Sequence, residues 1–186
     1  MRITICGIAE LSVHSAAGVT HVLSILDPGW PDPEAFAAFS AHRRVALRFH
    51  DVIAEMPGMV VPTQEDVASL LEFGREVAVA GPNAHLLIHC HAGISRSTAS
   101  AALLFAQAAP ARPVEDIFTT IADQRPRAWP NLLLLEFGER QLRRPGQLVR
   151  GAVGQYRRVL KADPDYAEII TDAGRGREVE LTRRAV

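Results

Sequence analysis

His85-Leu86-Leu87-Ile88-His89-Cys90-His91-Ala92-Gly93-Ile94-Ser95-Arg96-Ser97-Thr98 is the stretch from which the rest of the chain can be read. Residues 85–89 form a short, nearly continuous apolar run, the pattern of a central strand buried on both faces. Ser95 to Ala109 is rich in alanine and leucine and holds no breaker, which predicts a buried helix. A strand, a short glycine-bearing loop and a helix N-terminus therefore follow one another. Five residues separate Cys90 from Arg96, enough to curl into a nest of inward-facing backbone amides that binds an oxyanion. Gly93 permits a backbone angle or a close approach that a side chain would block. The planar fork of Arg96 suits a bidentate grip on two oxygens. The same positive field favours the thiolate of Cys90, the nucleophilic form of the residue. Cys6 is an internal control: six positions after it stands Ser12, not arginine.

The same logic extends in both directions. Residues 2–6, 21–26 and 44–49 read as strands, and Asp27-Pro28-Gly29 stops the second of them. The segment between the first two strands is small and polar and suits a helical turn. Pro33 to His42, with phenylalanines at 36 and 39, has the spacing of a helix face. Residues 50–62 read as a loop. Thr63 and Asp66 then open a helix that runs to about Ala80, Thr63 as cap and Asp66 at the positive end of the dipole. Helices follow at 113–124 and from Pro130-Asn131 to about Arg143. Strands alternating with helices predict an α/β fold with a mainly parallel sheet of four or five strands flanked by helices. Residues 1–146 form the expected catalytic unit. Residues 147–186 form a C-terminal extension, with a helix over 147–162 and a polar, mobile tail over 172–186.

Composition excludes several classes. The 186 residues suit one α/β domain, and 48% apolar with 22% charged residues is ordinary globular composition. A net charge of −1 argues against a chain built to grip nucleic acid. No run approaches the length of a membrane span, and the N-terminus lacks the pattern of a secretory signal. Two cysteines are too few for a disulfide framework, so a reducing, cytoplasmic setting is expected. Cys90 with His85, His89 and His91 raises the rival of a metal site. Neighbouring strand positions point to opposite faces, however, and no second cluster completes a tetrahedral set. Neither metal nor cofactor is expected, and the oligomeric state is left open.

His89-Cys90, the five residues that follow, then Arg96-Ser97 resemble the signature of the protein tyrosine phosphatase superfamily, and Ala92-Gly93-Ile94-Ser95-Arg96-Ser97 is most like its dual-specificity branch. Arg125-Pro126-Arg127-Ala128-Trp129-Pro130-Asn131 resembles a second element of that branch, and the likeness covers residues 1 to about 143. The resemblance implies a cysteine-phosphatase-like fold and a two-step hydrolysis through a cysteinyl-phosphate. Cys90 would be the nucleophile and Arg96 the phosphate clamp, while Ser97 eases departure of the thiolate. His91, Ala92, Gly93, Ile94, Ser95 and Arg96 would cradle the phosphate. His89 would orient the loop and help set the thiol's pKa by hydrogen bonding, and Asn131 would brace the loop from behind or simply cap a helix. The general acid would be an upstream aspartate. Asp51, 39 residues before Cys90, is preferred over Asp66 at 24 and over Glu55, because it directly follows a strand expected to open on the same edge. A turn residue is the plain alternative for Asp51.

The implied substrate is a phosphorylated protein, phosphotyrosine first and phosphoserine or phosphothreonine also. Phosphoinositides, inositol phosphates or RNA 5′-phosphates are the alternative, disfavoured by a loop without lysine. A non-catalytic phosphoprotein-binding module is the second alternative. It is disfavoured because cysteine and arginine are both present. A rhodanese-like sulfur transferase fits the five-residue spacing, Gly93 and Ser97 less well.

Overall fold

Four six-residue runs of mostly aliphatic side chains build the sheet of the computed structural model, which describes residues 2–184. They are β1 (Arg2–Gly7), β2 (His21–Leu26), β3 (Arg43–Arg48) and β4 (His85–Cys90). All pairings are parallel, in the order β1-β4-β2-β3. β4 lies in the middle and is buried along its whole length, as its unbroken apolar run requires.

Side chains alternate across the sheet. Ile3, Ile5, Leu23, Ile25, Leu86, Ile88 and Cys90 face the larger core. That core is completed by α1 (Gln64–Val79), α2 (Arg96–Ala108), α3 (Val114–Gln124), α4 (Leu132–Gln141) and α5 (Gln147–Ala162). Cys6, Val22 and Leu87 face a smaller cluster, covered by two 3-10 segments at Ile8–His14 and Glu34–Ala38. No helix among the described residues is long and apolar enough to cross a membrane.

Two expectations about local structure change. The helix anticipated over 33–42 is a single 3-10 stretch, Glu34–Ala38. Phe36 and Phe39 are three apart, and a 3-10 turn stacks i on i+3; their ring centroids lie 5.2 Å apart. The polar segment over 172–184 is packed and not a loose tail, and residues 185–186 lie outside the described residues. Following α6 (Tyr166–Ile170), a wide turn over Thr171–Arg175 kinks at Gly174 (φ 76°), and α7 (Gly176–Arg183) follows. Arg175, Glu178 and Val179 are buried there. Within it Arg175 and Glu178 form a buried ion pair while Asp172, Arg177, Glu180, Arg183 and Arg184 are exposed, a division that composition cannot show.

Candidate active site

The loops that leave β2, β3 and β4 all emerge at the carboxyl edge of the parallel sheet, where open α/β folds place their ligands. They deliver Asp27, Asp51 and the loop 91–95 to one place. That loop is shaped from outside by donors that take its carbonyls. Ile8 N donates to His91 O (2.9 Å), Arg125 Nη2 to Ala92 O (2.8 Å), Trp129 N to Ile94 O (2.9 Å), and Thr98 Oγ1 to Ser95 O (2.9 Å). With the carbonyls held outward, the amides of 91–95 donate to no protein acceptor among the described residues. This is the geometry of an anion nest at a helix N-terminus.

Gly93 has φ +71°, and a Cβ there would stand 2.5 Å from the backbone carbon of Cys6. The loop thus rests directly on the end of β1, which only glycine allows. Arg125 secures that contact further, its Nη1 meeting both oxygens of Glu10 at 2.8 Å.

Cys90 Sγ lies 3.2 Å from Ser97 Oγ, and both residues are buried. Arg96 is 4% exposed. Its Nη1 donates to Asp27 Oδ1 (2.6 Å) and to Phe49 O (2.7 Å), while its Nε is buried and has no partner among the described residues. A guanidinium anchored at one end with a bare donor at the other is poised to hold an anion. His91 stands at the rim, edge-on to Trp30 at 4.4 Å, and its Nε2 accepts from Asp27 N (3.2 Å). Burial, and more weakly Arg96, lowers the His91 pKa, while Asp27 works the other way.

His89 points to the opposite face of the sheet. Arg44 Nε donates to Ser24 Oγ (2.9 Å), and the Ser24 hydroxyl meets His89 Nε2 at 2.7 Å. His89 Nδ1 is buried and has no partner among the described residues. Burial drives the imidazole pKa down to about 4, with the Cys90 backbone opposing. His89 is therefore a neutral support within the sheet.

Asp51 follows β3 and enters the cavity wall. Its Oδ1 accepts from Ser95 Oγ (2.7 Å) and Asn131 Nδ2 (2.9 Å), and its Oδ2 meets Arg175 Nη1 at 3.0 Å. Asn131 caps a helix, and its backbone N, not its side chain, meets the loop, at 3.4 Å from Ser95 O. Its Oδ1 caps α4 by accepting from Leu134 N (3.1 Å), and its amide holds Asp51 and Val52 O. Asp66 is committed to the Thr63 capping box, and Glu55 lies on a separate open depression among Met56, Pro57 and Met59.

The cavity over Cys90 measures about 220 Å³, and its walls include Asp51, Arg96, Trp129, Tyr166, Ile170 and Arg175. Three of these wall residues, and Asp27 behind Arg96, escaped sequence reasoning. Asp27 read only as a strand stop, although its place after β2 was a usable signal. Tyr166, Ile170 and Arg175 come from the C-terminal segment, and nothing in their spacing points toward Cys90.

No family sequence model matches the chain, and no curated protein matches it in sequence. Solved structures do match in fold. Human DUSP28 aligns at TM-score 0.56 and 17% identity over 76% of this chain and 91% of that one. The human tyrosine phosphatase-like serine/threonine/tyrosine-interacting protein aligns at 0.54 and 21%, over 73% and 84%. PTPMT1 in complex with PI(5)P aligns at 0.52 and 16%, over 76% and 90%. The chain has the dual-specificity-phosphatase-like fold of the protein tyrosine phosphatase superfamily.

Proposed function

We propose that the protein is a cysteine-dependent phosphomonoester hydrolase acting on phosphotyrosine in proteins, with phosphoserine and phosphothreonine as further substrates. The observation that carries this reading is the cradle itself. A buried sulfur stands under a ring of unpaired amides, with a serine hydroxyl 3.2 Å away and a half-free guanidinium beside it.

The phosphate would sit against the amides of 91–95 and the free edge of Arg96. The Cys90 thiolate attacks phosphorus, an S–P bond forms and the ester P–O bond breaks. The Asp51 carboxylic acid gives its proton to the departing oxygen. Water then attacks the cysteinyl-phosphate and yields its proton to the Asp51 carboxylate. The S–P bond breaks, inorganic phosphate leaves, and a hydrogen bond from Ser97 steadies the departing thiolate. Asp27 holds Arg96 in the reactive orientation.

Substrate class follows from the walls. Trp129, Tyr166 and Ile170 give the cavity apolar sides that suit an aryl ester better than a polyanionic headgroup. The loop supplies no lysine for additional phosphates. The structural likeness to PTPMT1 bound to PI(5)P keeps phosphoinositides as the second reading. A binding-only role, suggested by the name of the tyrosine phosphatase-like neighbour, is the third.

Cys90→Ser decides the mechanism. The variant should keep the thermal unfolding profile and lose hydrolysis of p-nitrophenyl phosphate and of phosphotyrosyl peptides. Retained turnover would remove Cys90 as nucleophile. A marked preference for PI(5)P vesicles over phosphopeptide would move the substrate assignment to lipid.

A further inference from the structure

The C-terminal segment reaches into the cavity and places a second buried guanidinium beside Cys90's loop. Arg175 is 4% exposed, and each of its N–H groups has an acceptor. Nε donates to Glu178 Oε2 (2.9 Å), and Nη2 to Glu178 Oε1 (2.8 Å) and Trp129 O (3.4 Å). Nη1 donates to Ser95 Oγ (2.8 Å) and faces Asp51 Oδ2 (3.0 Å). Glu178, fully buried, is fixed in turn by Trp129 Nε1 (2.6 Å) and Leu132 N (2.9 Å).

The chain Leu132–Glu178–Arg175–Asp51 thus runs from the N-terminus of α4 to the carboxylate expected to carry the proton. Its geometry differs from that of Arg96. Arg96 leaves a donor bare, whereas Arg175 has none to spare for a substrate. An arginine saturated in this way acts on the reaction only through what it holds. Two charges withdrawn from water cost more than an apolar pair of the same size. A planar fork does, however, fix direction at both ends in a way that apolar contacts do not.

Asp51 sits on a loop, and its two oxygens are held from different sides. Ser95 and Asn131 occupy one carboxylate oxygen, and Arg175 addresses the other. The kink at Gly174, with φ +76°, turns the chain so that Arg175 faces inward between α6 and α7.

We propose that Arg175 is a positioning residue for Asp51, so that the C-terminal segment is part of the proton-transfer apparatus and not an appendage. The inference rests on the phosphatase reading above. Removing Arg175 should impair the proton-dependent part of the reaction and leave the attack by Cys90 in place. Loss should therefore scale with the basicity of the leaving group, because an acidic phenol departs without a proton and a basic one does not.

The test is kcat/KM, which reports the steps through release of the alcohol and excludes the later hydrolysis of the cysteinyl-phosphate, for a series of aryl phosphates, from 2,4-dinitrophenyl to phenyl phosphate, in wild type, Arg175→Ala, Asp51→Asn and the double variant. Arg175→Ala should lose about 100-fold on phenyl phosphate, within the usual range for general acid catalysis, and less than about threefold on the dinitrophenyl ester. Asp51→Asn should show the same slope, and the double variant no further loss. Arg175→Ala leaves Glu178 buried without its partner, so Arg175→Met/Glu178→Met, which removes both charges, is measured beside it. Thermal unfolding of each variant monitors the fold, and the same slope is expected. A uniform loss across the series in either Arg175 variant, or additive losses in the double variant with Asp51→Asn, would show that the segment only props up the fold. A wild-type protein that hydrolyses no aryl phosphate would overturn the phosphatase reading and this inference with it. A wild type sensitive to Cys90→Ser, with flat Arg175 effects, would overturn this inference alone.

Discussion

The two cysteines show how strongly position decides chemistry. Cys6 lies one residue before the end of β1 and Cys90 ends the neighbouring β4, yet their side chains enter different cores on opposite faces of the sheet. Burial, then Glu10, pushes the Cys6 thiol up to about 12, so it remains a neutral apolar filler. It is not placed to resolve an oxidised Cys90. His89 carries a prediction of its own. Burial lowers its pKa from 6.5 to about 4. Between those values the unfolded chain binds a proton that the folded chain refuses, so stability rises with pH there. The contribution is complete above about pH 6.5 and falls away as pH drops toward 4, by about 3 kcal/mol. His21, His85 and His91 are lowered by burial in the same direction. Urea unfolding between pH 4.5 and 7.5 should show this slope, and His89→Gln should flatten it; an unchanged slope in that variant would place the coupling elsewhere.

Individual elements were legible where local chemistry sets them. The α1 start was readable from Thr63 and Asp66 alone, because a capping box is a contact between residues three apart. Thr63 Oγ1 accepts from Asp66 N (3.1 Å), and Thr63 N donates to Asp66 Oδ2 (2.8 Å). Thr63→Ala should cost about 1 kcal/mol. It should lower the melting temperature by about 2–4 °C with no change in hydrolysis, since Thr63 is not part of the cavity wall. The helix over 147–162 was less readable, because the pattern weakens after Pro145-Gly146, yet its expected ends agree with the structure. The segment at 33–42 was not, because a three-residue spacing of phenylalanines fits a 3-10 turn and one face of an α-helix alike. The strand-loop-helix around Cys90 was readable because strand, nest and helix are contiguous in the chain.

At the scale of the whole molecule, the C-terminal segment closes the fold over the site. Trp129 joins the two parts. It is fully buried, stacks on Tyr156 at 4.3 Å, meets Tyr166 edge-on at 5.5 Å and donates to Glu178. Burial pushes the Glu178 carboxyl up, and the donors of Arg175, Leu132 and Trp129 oppose that shift. Trp129→Phe keeps much of the apolar packing and removes one of those donors. It should destabilise the chain by about 1–3 kcal/mol, the usual cost of leaving a buried polar group short of a partner. Differential scanning calorimetry would register this as a lower melting temperature. An unchanged value would mean that Glu178 finds another donor.

The order of residues alone determined the parallel sheet, the oxyanion nest and the pairing of Cys90 with Arg96, because each depends on neighbours within a few positions or on a repeating pattern. Asp51 could be preferred over Asp66 from its place after β3, although its partners could not be named. Asp27 on Arg96, Arg175 on Asp51 and Ser24 on His89 were decided by tertiary structure. These contacts join residues 69, 124 and 65 positions apart. Polar side chains carry no periodic signature that says which distant partner will satisfy them. A buried ion pair and a solvated tail have the same composition, and only the packing of α5 against α3 and α4, and of α7 against α5, separates the two.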